Sequence, residues 1–124
     1  MPIKKACVST AAVVVLGAGL LATGAPASSA ETSASPVDEG KAIAFDRSKG
    51  NCLACHMIAG GEVPGDIGPP LVAIKARYPD KAKLRAQIWD ATVANPHSVM
   101  PPFGRNQILT EQEMDKVVEY IYTL

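Results

Sequence analysis

The chain is 124 residues long, with 12 basic and 12 acidic side chains and a formal net charge of zero. That balance carries no electrostatic footprint for nucleic acid, which is not an expected partner. Hydrophobic residues make up 48% of the sequence but aromatic ones only 5%, so the chain is sized for one small domain with few large side chains to fill a core.

At the amino terminus Lys4 and Lys5 precede an apolar run from Ala11 to Ala22, and small residues continue to Ala30. Charged region, short apolar region and then Ala25-Pro26-Ala27 or Ser28-Ser29-Ala30 before a cleavage point are the parts of a secretory signal peptide, expected over residues 1–30. The run is too short and too rich in alanine and glycine to favour a spanning helix, so the mature chain is expected in the periplasm with no membrane span. Cleavage removes Cys7, Lys4 and Lys5, leaving Cys52 and Cys55 as the two cysteines and ten basic residues against twelve acidic ones. Residues 31–36 read as a polar, mobile leader, and residues 37–124 as the folded domain.

A helix is expected from Val37 to about Lys49, with Asp38 and Glu39 early, where the helix dipole favours acids, and Gly50 ending it. Asn51-Cys52-Leu53-Ala54-Cys55-His56 follows at once. Cys-x-x-Cys-His is the attachment sequence of c-type haem: on one helical turn both sulfurs can form thioethers with one porphyrin while the histidine lies under the iron. Two other uses of these residues are a redox dithiol, which needs a βαβ setting that is missing here, and a zinc site with His97, whose spacing is poor. A porphyrin would also supply the large apolar body that so small a domain lacks, so the chain is expected to be largely unfolded without it.

Gly60, Gly61, Pro64, Gly65, Gly68, Pro69 and Pro70 then mark a wrapped loop. A short helix is expected over Leu71–Arg77, broken by Tyr78-Pro79. Asp80 caps a clearer helix, about Lys81 to Val93, with Leu84, Ile88 and Ala91 at helical spacing and Asn95-Pro96 beyond its end. In the last segment Thr110 and Glu113 form a capping box ahead of an apolar stripe of Met114, Val117, Val118 and Ile121. This helix is expected to cross the first one near Gly40, where a missing side chain lets two backbones approach. No strand is expected, and the fold class is all-α.

Four residues could act on the far side of an iron bound by His56. Met57 is too close in sequence to reach the opposite face, and Met114 belongs to a core stripe. Met100 and His97 remain. Met100 precedes Pro101-Pro102, which hold its backbone extended, and it stands forty-four residues from His56, enough to pass around a ring edge. It is the better placed of the two, and a thioether would raise the reduction potential relative to a second imidazole. The Pro69 carbonyl is a candidate acceptor for the other ring N–H of His56, the alternative being an ordinary rigid loop. Trp89 could reach a haem propionate through its indole N–H or simply fill the core. Lys75, Arg77, Lys81, Lys83 and Arg85 form a basic cluster interrupted only by Asp80, while Glu111, Glu113, Asp115 and Glu119 make the last helix acidic. Such charges can steer docking or can be ordinary solvated faces.

Signal peptide, Cys-x-x-Cys-His, Gly-Pro-Pro-Leu, a Met-Pro loop and a final amphipathic helix together resemble the class I cytochromes c over nearly the whole mature chain. More narrowly, Lys49-Gly50-Asn51-Cys52-Leu53-Ala54-Cys55-His56, Ile67-Gly68-Pro69-Pro70-Leu71, Ile88-Trp89-Asp90, Met100-Pro101-Pro102-Phe103-Gly104-Arg105-Asn106 and Tyr120-Ile121-Tyr122-Thr123-Leu124 resemble, in that order, the SoxX family. SoxX is the monohaem subunit of the sulfur-oxidation pair SoxAX. The resemblance implies one haem c attached through Cys52 and Cys55, with His56 and Met100 as axial ligands. It also implies a SoxA-like haem-bearing partner, in which thiosulfate is joined oxidatively to a carrier-protein cysteine. This chain would then accept the released electrons and pass them to a further cytochrome. On that reading it is the electron-transfer subunit of a heteromeric thiosulfotransferase-type enzyme, with no catalytic residue of its own. A free-standing electron shuttle, or a haem ligand sensor if Met100 does not bind iron, are the other classes left open.

Overall fold

The computed structural model describes residues 34–124, and the expected signal peptide lies outside the described residues. The elements in chain order are α1 (Pro36–Phe45), a 3-10 turn (Cys52–Ala54), α2 (Ile74–Arg77), α3 (Lys81–Trp89) and α4 (Glu111–Ile121). There is no strand among the described residues, so the all-α class expected from the sequence holds.

Helix α1 starts one residue earlier than expected, because Ser35 caps it: its hydroxyl accepts the Asp38 N–H at 3.2 Å, with Pro36 in the first turn. It also ends four residues earlier, at Phe45. The Asp46 carboxylate accepts the Ser48 N–H (2.8 Å), and the Asp46 carbonyl accepts from Lys49 and Asn51, so a local turn replaces the next helical turn. Gly50 therefore does not stop the helix. It lies back against it, donating to the Ile43 carbonyl at 3.1 Å, where a Cβ would meet Ile43 O at 2.7 Å.

Helix α3 stops at Trp89 and not near Val93, for the same reason. The Asp90 carboxylate accepts the Thr92 N–H at 3.0 Å and its hydroxyl as well. Helix α2 begins at Ile74, three residues later than expected, after Ala73 takes a left-handed conformation (φ 50°).

Helix α4 has the expected capping box: Thr110 Oγ1 accepts the Glu113 N–H at 3.2 Å, and the Glu113 carboxylate accepts the Thr110 N–H at 3.0 Å. It crosses α1 at Gly40, where any Cβ would collide with the Lys116 carbonyl. Phe45 and Tyr120 pack edge to face there, 6.0 Å between centroids, and Lys116–Glu39 and Lys49–Glu113 ion pairs flank the crossing. Helix α3 is tied to α4 by Lys81–Glu119 (2.9 Å) and Arg85–Asp115 (2.7 Å). Two members of the basic cluster are thus neutralised within the chain. Met114, with 0% exposure, is a core residue as its place in the apolar stripe suggests.

Candidate functional site

The 3-10 turn is a tight knot of backbone hydrogen bonds. Cys55 and His56 both donate to the Cys52 carbonyl (3.2 and 2.9 Å), and Asn51 enters the turn in the left-handed region (φ 46°). The glycine-rich loop is laid back over it, with Gly65 donating to Leu53 O and Gly68 to Cys55 O, each at 2.7 Å. Gly68 lies so close to the imidazole that a Cβ would run into the His56 ring. Only glycine permits that approach.

His56 Nδ1 is 2.7 Å from the Pro69 carbonyl oxygen. A carbonyl can only accept, so the proton sits on Nδ1 and the lone pair on Nε2 is left for a metal. Arg77 donates to the next carbonyl, Pro70 O, at 2.9 Å and stiffens the same segment.

Cys52, Cys55 and His56 line a cavity of about 610 Å³. Met100 and His97 line it as well, so the structure brings both candidate ligands to the space that His56 faces. Much of its wall is the hydrophobic core itself: Ile74, Leu84, Ile88, Val117 and Ile121 belong both to the core and to the lining. A flat apolar group seated there would complete the core.

Both cysteines are free thiols. Burial pushes the Cys52 thiol up to about 11, the reverse of the lowered value an exchanging dithiol requires. No group of three His, Cys, Asp or Glu side chains suited to a metal ion occurs among the described residues. Two thiols, an imidazole with a free Nε2, a thioether and an apolar wall are the donor set of haem c, and the residues fit that cofactor.

The family model for cytochrome c matches residues 37–124. The chain belongs to the cytochrome c family. Among solved structures, this cytochrome c matches SoxXA from P. pantotrophus at 29% identity and a TM-score of 0.63, over 69% of this chain and 79% of that one. No curated protein matches the sequence significantly. The molecule is a small all-α class I cytochrome c resembling SoxX, with an electron-transfer role and a covalently bound haem c.

Trp89 is placed elsewhere in this cytochrome c. It is not among the cavity-lining residues; its ring packs against Gly104, and the Arg85 guanidinium lies over it at 5.3 Å. Met57 is exposed. Sequence reading passed over Arg47, Arg77 and Gln87, which line the cavity. Arg47 lies in the turn after α1, Arg77 at the end of α2 and Gln87 on α3, and nothing in their spacing separates them from solvated positions. Among the described residues no helix is long and apolar enough to cross a membrane.

Proposed function

We propose that this cytochrome c is the electron-accepting subunit of a SoxAX-type complex in the periplasm, reached by export and cleavage of residues 1–30. Haem c, when bound, supplies reversible one-electron exchange at its iron. Cys52 and Cys55 would hold it covalently, and His56 Nε2 would donate to its iron, the ring being fixed by the Nδ1–H to Pro69 O contact. Met100, rather than His97, would supply the second donor to the iron. The proline pair after Met100 stiffens its backbone, so less entropy is lost in holding its sulfur at a metal. With both donors in place the iron would have no open position for a substrate.

Electrons enter from a SoxA-like partner, where thiosulfate becomes linked to a carrier-protein cysteine, and leave to a further cytochrome. The observation that carries the relay reading is that His56 and Met100 line one cavity. The resemblance to SoxXA supports the choice of partner.

Purification of the native complex from a periplasmic extract tests it. A second haem protein should co-purify, and thiosulfate with the carrier protein should reduce this haem only while that partner is present. A monomer reduced and oxidised without sulfur partners would make it a free-standing shuttle. Ready binding of carbon monoxide by the reduced protein would instead indicate an open axial position and the sensor reading.

A further inference from the structure

The segment that carries Met100 has few holds of its own. Met100 N–H donates to Ser98 Oγ at 3.2 Å, and Ser98 and His97 lean on Asn95 (2.9 and 3.1 Å), all within a few residues. Beyond the stiff Pro101-Pro102 pair the chain is fastened to the end of α3. Gly104 and Arg105 both donate to the Trp89 carbonyl, at 3.1 and 3.4 Å. Gly104 lies so close to the indole that a Cβ would collide with it.

Arg105 then reaches past the end of the helix to donate to Asp90 Oδ2 at 2.7 Å and to Thr92 Oγ1 at 3.2 Å. The Asp90 side chain is only 8% exposed, and its other oxygen is occupied by Thr92. The clamp is anchored in turn to the rest of the fold, because Arg85, which covers the Trp89 ring, is hydrogen-bonded to Asp115 on α4.

We propose that Asp90 and Arg105, acting through the Trp89–Gly104 contact, are positioning residues that hold the Met100 thioether at the cavity against exchange with other ligands. The proposal rests on the reading of Met100 as an axial donor. Neither residue touches the iron site; each acts by fixing the one end of the Met100 segment that packs on a helix. Trp89, partly buried against the core, is also the plate on which the ligand-bearing loop is pressed. With the clamp weakened, the segment keeps its short-range hydrogen bonds and the packing of Met100 and Phe103 on the core but loses its hold beyond Phe103, and the fraction of time that Met100 is withdrawn rises.

Competition by added imidazole measures that fraction in the ferric, haem-loaded chain. A small ligand enters only while the thioether is off, so its apparent binding constant scales with the open population. Arg105→Gln should tighten imidazole binding about tenfold, as expected for losing a charged hydrogen bond to a nearly buried carboxylate. Arg105→Lys should recover most of the difference. Thr110→Ala, which weakens the cap of α4 away from the clamp, should leave imidazole binding unchanged while lowering the melting temperature.

Unchanged imidazole affinity in Arg105→Gln, or an equal gain in Thr110→Ala, would overturn the positioning role. The charge-transfer absorption of a thioether on ferric haem separates the two readings. Its absence from the unmutated protein overturns the Met100 ligand and the clamp together, whereas its presence with no response to Arg105→Gln overturns the clamp alone.

Discussion

The two segments that bring ligands to the cavity are held by different means. Around His56 the hydrogen bonds come from the 3-10 turn and the loop that follows it: the turn closes on itself, Gly65 and Gly68 return to Leu53 and Cys55, and Pro69 takes the imidazole N–H. Around Met100 the firm contacts come from another helix, through Trp89, Asp90 and the packing of α3 on α4. Both segments use a glycine in the same way, Gly68 against the imidazole and Gly104 against the indole. The lesson is that one side of the cavity is held by a turn and the loop laid back on it, and the other by the end of a helix that is itself tied to α4. A ligand side that depends on distant contacts is also the side that substitutions and conditions can loosen.

Replacing Cys52 and Cys55 together by alanine is the most severe way to break the comparison, since it removes what both segments enclose. Ile74, Leu84, Ile88, Val117 and Ile121 line the cavity wall, and burying a side chain of this kind contributes about 1.5–3 kcal/mol. Losing several at once is comparable with the whole stability of a typical small domain, about 5–15 kcal/mol. The double variant should carry no covalent haem by mass and should lose most of its helical circular dichroism.

Gly68→Ala and Gly104→Ala form the sharper pair. Each drives a methyl group into a ring, an overpacking that costs about 1–3 kcal/mol, so the melting temperatures should fall by similar amounts. The spectra should differ. Gly68→Ala should disturb the histidine side and move the reduction potential with the thioether band still present. Gly104→Ala should weaken that band and ease imidazole entry. Identical spectral changes in the two variants would show that the segments are one unit.

Acid should also act on the two sides unequally, through a smaller effect. The Thr92 hydroxyl and N–H, helped by Arg105, hold the Asp90 carboxyl below its ordinary value, and Lys49 with the Thr110 N–H does the same for Glu113. A carboxylate with a lowered folded value contributes stability above its unfolded pKa, about 4, which is lost as pH falls through the folded value. Asp90 belongs to the Met100 clamp, so titration below about pH 4 should weaken the thioether band before the helical signal declines. Smallest of all, Thr110→Ala should cost about 1 kcal/mol in thermal unfolding and leave both ligand sides as they are.

What could be read from residues alone follows the same division. The attachment motif, the capping box of α4 and the close approach at Gly40 depend on spacing within one turn or on a single absent side chain, and each is found where the pattern places it. The ends of α1 and α3 were not legible, because Asp46 and Asp90 are neutral as helix formers until their carboxylates capture the N–H groups of Ser48 and Thr92. Nor was the pairing of Lys81 and Arg85 with α4, since charges that look like a docking face on one helix become internal partners once the second helix lies beside it. Trp89 was ambiguous for a related reason: an indole can serve many surfaces, and only the arrival of Gly104 selects one.

By itself, then, the sequence determined the chemistry of this cytochrome, because two cysteines and a histidine within five residues carry their geometry with them. The tertiary structure decided what holds Met100 at the cavity and where Trp89 packs, because those depend on the end of α3 meeting a later loop and on α3 lying against α4, and no local pattern records where they meet.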